Sequence, residues 1–322
     1  MKVNRKTFLK QASFLGSSVA LPTLGLNSFG ATKRDFEDNK ISNPIGTSTY
    51  SFWHFEGNKM NARIENCIEN ASRMGFHGIE ILLVQMQATG SIDNAYINKL
   101  KRLALHAGLS LYGMSTHQQF FPVKKEDREY EIEKTKSQIE LAYKLGIPQI
   151  RIQTGTWGTR GSFDNLMKFK GYEEPPEGYT NEDGFNWAID GINKCIPKAR
   201  ECGVTLALEN HWGLGRKAEW LMRIFKAVDS PWLGFTADTG NFFPEDDRYE
   251  QLKTLAPHTV LIQAKTYYGG GLWYDNPAEF KKVAKIFHDA DYRGWVSLEF
   301  EGKEDAMVAV PKSLRVLREA FS

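Results

Sequence analysis

The sequence predicts a closed barrel of eight parallel strands with a helix after each, a single (β/α)8 domain. Three observations carry that prediction. Short apolar runs of buried-strand length recur along the chain, such as Leu206-Ala207-Leu208 and Val260-Leu261-Ile262, each followed by a loop and a helical pattern. Between Ile45 and Phe321 the strand-then-helix unit repeats eight times, at about 35 residues per unit, in a span close to that of a typical eightfold barrel. Three junctions, Ala107-Gly108-Leu109, Lys144-Leu145-Gly146-Ile147-Pro148 and Glu201-Cys202-Gly203-Val204, share one grammar of helix, glycine stop and next strand. Such βα repetition gives parallel pairing, and eight units favour closure over an open sheet.

In chain order the predicted strands are Ile45–Ser51, Gly78–Leu83, Leu109–Ser115, Gln149–Thr154, Thr205–Glu209, Gly234–Asp238, Val260–Lys265 and Val296–Glu299. Helices fill the intervals. Ile64, Cys67, Ile68 and Ala71 follow the 3.6-residue period, and Ile132 to Leu145 forms a longer amphipathic segment. One connection is long: Gly155 to Asp183, between the fourth strand and its helix, holds Trp157, Gly158, Gly161, Tyr172, Pro175 and Pro176. A loop of that length in a compact domain is usually a lid or a binding loop. The barrel takes residues 45–322, with no second domain.

Composition narrows the partners. With 41% hydrophobic residues and a mean hydropathy of −0.44, the 322-residue chain reads as soluble with a large core. Its formal charge of +2 misleads, because Lys2, Arg5, Lys6 and Lys10 sit in an N-terminal stretch without acids and the remainder is slightly acidic. No basic stripe follows, and nucleic acid is not an expected partner. Asn4-Arg5-Lys6-Thr7-Phe8-Leu9-Lys10 resembles a twin-arginine export pattern with Lys6 in the second arginine's place. A mildly apolar stretch from Ala12 to Leu26 and small residues from Ser28 to Ala31 follow it. Residues 1–31 are therefore expected to be a signal peptide, residues 32–44 a polar linker, and the protein exported to the periplasm. Gly16, Ser17, Ser18 and Pro22 make the same stretch a poor membrane span. Cys67, Cys195 and Cys202 lack metal-ligand spacing and read as packing residues.

The chemistry sits at strand ends. Glu209, Asp238, Gln263 and Glu299 close the fifth to eighth strands, and in such a barrel those ends converge on one mouth. Four oxygen donors on consecutive strands describe a site for a hard divalent ion, Mn²⁺ first, with Mg²⁺, Co²⁺ and Zn²⁺ as alternatives. The other use of such residues is helix capping or ion pairing. Lys265 lies two residues beyond Gln263 and so on the same strand face. It is placed to stabilise a developing oxyanion or to pair with one of the carboxylates.

Leu208-Glu209-Asn210-His211, Asp238-Thr239-Gly240-Asn241, Gln263-Ala264-Lys265 and Leu298-Glu299-Phe300-Glu301-Gly302 resemble motifs of the sugar phosphate isomerase/epimerase family. These are xylose isomerase-like TIM barrels that include ketose 3-epimerases and inosose dehydratase. The resemblance spans residues 45–321. It implies that Glu209, Asp238 and Glu299 are metal ligands, and that Glu209 and Glu299 are also acid/base carboxylates on opposite faces of a sugar. Three positions depart from it. Gln263 stands where the family usually has His, Asn241 where ketose 3-epimerases place His, and Gly269 where they carry Arg. A Gln carbonyl still binds a hard ion, though more weakly than imidazole binds transition metals, and the substrate grip is expected to differ.

In the chemistry that the resemblance implies, a metal on a substrate carbonyl and its neighbouring hydroxyl acidifies the C–H between them. One carboxylate takes the proton, giving an enediolate. Reprotonation from the other face makes an isomerase or epimerase. Departure of a β leaving group makes a lyase or hydratase, for example on a 3-keto-glycoside, and a third reading is a sugar-binding barrel without catalysis. Each has a small-molecule sugar as partner, and the oligomeric state stays open. His54, Glu80, His117 and Gln153 at the first four strand ends, with His211 and Trp157, are candidates for contacting the sugar or for structural roles. Trp53, Phe55, Trp212, Phe242, Phe243, Tyr267, Tyr268, Trp273 and Tyr274 crowd the same mouth. Glu301 is expected at second remove or exposed, and Gly269-Gly270-Gly271 is expected to be a flexible loop.

Overall fold

A computed structural model describes residues 42–55, 62–88 and 90–322. The expected signal peptide (1–31) and nearly all of the expected linker (32–44) lie outside the described residues. Eight parallel strands close into a barrel in sequence order. They are β1 (Ile45–Ser48), β2 (Gly78–Leu82), β3 (Ser110–Ser115), β4 (Gln149–Ile152), β5 (Thr205–Glu209), β6 (Leu233–Asp238), β7 (Thr259–Thr266) and β8 (Trp295–Phe300). The main helices of the surrounding ring are α1 (Ile64–Met74), α2 (Asn94–His106), α3 (Lys125–Leu145), α4 (Asn181–Cys202), α5 (Ala218–Val228), α6 (Arg248–Leu255), α7 (Phe280–Asp289) and α8 (Ala306–Phe321). Among the described residues no helix is long and apolar enough to cross a membrane.

Successive side chains of a strand point to opposite faces, and here that alternation separates two chemistries. One set is apolar and fully buried: Ile79, Ile81, Ile150, Ile152, Leu206, Leu208, Phe235, Ile262, Val296 and Leu298. It shares one core with helix residues such as Ile68, Ile139, Ile192, Leu221, Val283 and Leu317. The other set carries Glu80, Arg151, Glu209, Asp238, Gln263, Lys265, Ser297 and Glu299, and it too is buried. An apolar sheath between sheet and helices therefore supports a polar barrel interior, and the apolar runs of the sequence are the sheath's strand side.

The predicted strands are all present, with shifted ends. β1 stops at Ser48 rather than Ser51, because the hydroxyls after it are used locally. Ser48 Oγ accepts from Tyr50 N at 3.3 Å and Thr49 Oγ1 accepts from Leu82 N at 2.9 Å, which turns the chain into a helical turn over Tyr50–Trp53. α3 begins seven residues before the apolar period does, on a charged segment whose Glu126 and Asp127 suit a helix N-terminus. The long loop after β4 contains a short helix, Phe163–Lys168, before α4 begins. Cys67 and Cys195 are buried, Cys202 is half-buried, and all three are free thiols.

Deep in the barrel, Tyr112 stacks on Trp295, with ring centres 4.2 Å apart and planes 7° from parallel. Its hydroxyl donates to Ser297 Oγ at 2.7 Å, and Ser297 Oγ donates to Glu80 Oε2 at 2.6 Å. Only glycine fits opposite that ring, since a Cβ on Gly46 would lie 2.1 Å from Tyr112 Cε1. Gly46→Ala should therefore overpack the floor and destabilise the fold by roughly 1–3 kcal/mol. Urea unfolding measures this, and an unchanged midpoint would mean that the ring does not occupy this position.

Candidate active site

The ends of β5 to β8 bring together the charged residues that the sequence singles out. In register, Asp238 on β6 pairs with Gln263 on β7, and Lys265 pairs with Glu299 on β8. The Lys265 ammonium is the hub. Its Nζ lies 3.4 Å from Asp238 Oδ2, 3.4 Å from Glu299 Oε1 and 3.5 Å from Glu301 Oε2. It donates to Asn241 Oδ1 at 2.9 Å and to Tyr274 OH at 2.8 Å. Burial alone would lower the lysine's pKa, yet Asp238, Glu301, Tyr274 and Glu299 hold it well above the ordinary value. The carboxyls respond the other way. Burial pushes Asp238 up to about 8 and Glu301 up to about 7, against the pull of Lys265.

Glu209 on β5 forms the second half of the site. Its Oε2 accepts from Gln153 Nε2 at 3.1 Å, and its Oε1 faces Arg151 Nη1 at 3.5 Å and Asn241 Nδ2 at 3.4 Å. Burial raises its pKa, and Arg151 and Lys265 counter the rise. Asn241 joins the halves, since one amide donates to Glu209 and accepts from Lys265 and from Tyr274 OH. The strand ends are fixed by another asparagine. Asn210 Nδ2 donates to the Asp238 carbonyl at 2.9 Å, and Asp238 N donates to Asn210 Oδ1 at 2.7 Å.

Above these residues opens a cavity of about 540 Å³, whose wall includes Arg151, Gln153, His117, His211, Lys265, Glu299 and Glu301. Glu209, Asp238 and Gln263 lie behind that wall, in contact with it through Arg151, Gln153, Lys265 and Glu299. His117 Nε2 sits 3.2 Å from Arg151 Nη2. Burial and the Arg151 charge push His117 down to about 3, and burial with Lys265 and Arg151 pushes His211 well below its ordinary value. Both rings are therefore neutral at physiological pH, with hydrogen-bonding nitrogens but no charge.

Three candidate sugar contacts are placed elsewhere. Glu80 is fully buried with its oxygens taken by Ser115 Oγ and Ser297 Oγ, so it belongs to the barrel floor. His54 turns its Nε2 to the Phe300 carbonyl at 2.8 Å. Trp157 donates to Asn181 Oδ1 at 3.1 Å and packs on Phe121 and Trp187, beneath the long loop. Each of these side chains is satisfied locally. Glu301, expected at second remove or exposed, is buried on the cavity wall and accepts from Tyr50 OH at 3.1 Å. Gly269-Gly270-Gly271 is pinned rather than loose: Leu272 N donates to the Glu301 carbonyl, Lys303 N to that of Gly270 and Glu304 N to that of Tyr268. A Cβ on Gly269 would lie 2.7 Å from Glu304 N, which leaves no room for the arginine expected there by resemblance. Arg151, Tyr50 and Phe163 join the cavity wall beyond the residues predicted from the sequence. The signal for Arg151 is its charge inside an apolar strand, two residues before Gln153 and so on the same face.

The donors suit a hard cation. Among the described residues no three His, Cys, Asp or Glu side chains form a ready cage. Asp238 Oδ2 and Gln263 Oε1 are nevertheless buried without a hydrogen-bond donor, while Gln263 Nε2 donates to Glu299 Oε2. Lys265 stands farther from Asp238 than a charge-assisted hydrogen bond requires, so that carboxylate keeps unused acceptor capacity. Four buried carboxylates, Glu209, Asp238, Glu299 and Glu301, share the cations of Lys265 and Arg151. A divalent ion would displace protons that burial keeps on this cluster and balance the charge so released.

Residues 68–320 match the family model of the xylose isomerase-like TIM barrel. The chain is 22% identical to an inosose dehydratase of Geobacillus thermodenitrificans strain NG80-2, over 86% of this chain and 94% of that protein. It shares its fold with a 3-keto-D-glucoside 4-epimerase from E. coli, at a TM-score of 0.67 and 16% identity over 86% of this chain and 99% of that one. The same holds for D-psicose 3-epimerase of Clostridium cellulolyticum H10, solved with D-tagatose, at a TM-score of 0.68 and 15% identity over 87% and 99% of the two chains. By sequence and by architecture, the chain belongs to the xylose isomerase-like TIM barrel family.

Proposed function

We propose that this protein is a divalent-metal-dependent enzyme that removes the proton beside a sugar carbonyl, acting as an isomerase or epimerase. The supporting observation is the buried ring of carboxylates around Lys265, with unused acceptors on Asp238 and Gln263. Glu209, Asp238, Gln263 and Glu299 would hold the ion, Mn²⁺ by preference. Such an ion supplies electrostatic stabilisation for negative charge on the sugar oxygens during proton removal.

The chain's own residues do the rest. Glu299 stands on the cavity wall as one acid/base carboxylate, and Glu209 on β5, directly behind Arg151 and Gln153 of that wall, would be the other. Gln153 and Arg151 hold Glu209 in orientation. The Lys265 ammonium stays charged, because its neighbours hold its pKa high, and can stabilise an oxyanion near Glu299. Neutral His117 and His211 can hydrogen-bond hydroxyls without adding positive charge that would repel the cation. A second reading, a lyase or hydratase on a keto-glycoside, shares the proton abstraction and gains support from the size of the cavity. The twin-arginine-like N-terminus favours export, where unphosphorylated sugars and glycosides are the available substrates.

Two measurements test this. Purified protein should bind about one Mn²⁺, and Asp238→Ala should bind much less. Since burial keeps a proton on Asp238 up to about pH 8, and the ion must displace it, affinity should weaken as pH falls through about 8. Equal metal content in the two proteins would remove the proposed ligand set. The second measurement is NMR in D₂O with Mn²⁺ and a panel of ketoses and 3-keto-glycosides. At least one substrate should gain deuterium beside its carbonyl, with epimer or elimination product distinguishing the two readings. Epimerisation without solvent deuterium at that carbon would contradict the first reading, and loss of the leaving group with that carbon's proton retained in the product would contradict the second.

A further inference from the structure

The cavity is larger and more divided than one sugar needs. By the roughly 30 Å³ share of a water molecule, its volume corresponds to about 18 waters. A hexose has twelve non-hydrogen atoms, each bonded and so smaller than a free water, and fills less than two-thirds of that space. The inner wall is polar and carries Arg151, Gln153, Lys265 and Glu299. The outer wall is aromatic: Phe55, Phe163 and Trp273 all line it while remaining 49%, 40% and 43% exposed.

These three rings are held in place rather than loosely displayed. Trp273 donates from Nε1 to Tyr50 OH at 3.3 Å, and Tyr50 in turn donates to Glu301 Oε1. The glycine turn before Trp273 is bonded to the segment after β8. Phe163, from the long loop after β4, meets Trp273 edge-on with centres 5.3 Å apart at 85°. Phe55 has a backbone φ of 60°, a left-handed conformation that a bulky residue seldom adopts and that functional sites often store. Aromatic faces fixed around open space favour the C–H face of a pyranose or another aromatic ring, because the negative π-face attracts weakly positive hydrogens.

We infer that the outer half of the cavity is a second-ring subsite, built by Phe55, Phe163 and Trp273. It takes the aryl aglycone or second pyranose of a glycoside whose first ring lies against the polar wall. The inference rests on reading that wall as a sugar site, and it assigns the substrate class as glycosides rather than free monosaccharides.

The test is isothermal titration of the full chain, with Mn²⁺ present, against D-glucose, methyl β-D-glucoside, phenyl β-D-glucoside and cellobiose. Phenyl glucoside, cellobiose or both should bind about tenfold tighter than methyl glucoside, and which of them does so tells an aryl from a sugar second ring. Trp273→Ala and Phe163→Ala should each collapse that ratio toward one. Equal affinities for methyl and ring-bearing glucosides, no binding by any ring-bearing glycoside, or an advantage that survives both substitutions would overturn the subsite. Because binding is read rather than turnover, failure here is distinct from failure of the proton-abstraction chemistry in D₂O.

Discussion

Asp238, Glu299 and Glu301 share the single ammonium of Lys265 in the barrel's interior, and the rest of the molecule is arranged to make that tolerable. Buried charges are costly unless paired and hydrogen-bonded, and like charges in one site raise each other's pKa values. Burial first, and the neighbouring carboxylates after it, push Asp238 up to about 8 and Glu301 up to about 7 against the pull of Lys265. The compensating order comes from the strands. Alternation sends Ile150, Leu206, Phe235, Ile262 and Leu298 outward into an apolar sheath, and that sheath holds the inward polar residues at fixed registers.

The departures from the ketose 3-epimerase pattern form one consistent set. Asn241 links Glu209 to Lys265, so the two halves of the carboxylate cluster are coupled through a neutral amide. Gly269 is required by the backbone of the turn that carries Trp273 and Tyr274 to the cavity wall. Arg151 from β4 lines the cavity, held between Glu209 and His117.

Much of this was legible in the sequence because strand ends and side-chain alternation are properties of local pattern. The eight strands, the glycine stops at Gly146 and Gly203, and the convergence of Asp238, Gln263, Lys265 and Glu299 follow from spacing alone. What spacing cannot convey is which strand-end group is satisfied by a neighbour distant in the chain. Glu80 is used by Ser115 and Ser297, and His54 by the Phe300 carbonyl, contacts between residues up to 246 positions apart. Trp157 and Phe163 sit in the same long loop, and only the three-dimensional path decides that the first packs inward and the second faces the cavity. Glu301 looked peripheral because it follows the strand, whereas the barrel continues the β8 alternation one step beyond it.

In the proposed reaction Glu209 and Glu299 act as separate acid/base carboxylates on one sugar. Its most direct test compares Glu209→Gln and Glu299→Gln with excess Mn²⁺ and a verified substrate, following both turnover and exchange of the proton beside the carbonyl in D₂O. Each variant should lose turnover by at least about 10²-fold, the scale of general acid–base catalysis. One should still exchange the substrate proton with solvent, and the other should not. Near wild-type turnover by both variants would rule out this pair of carboxylates as the acid and base.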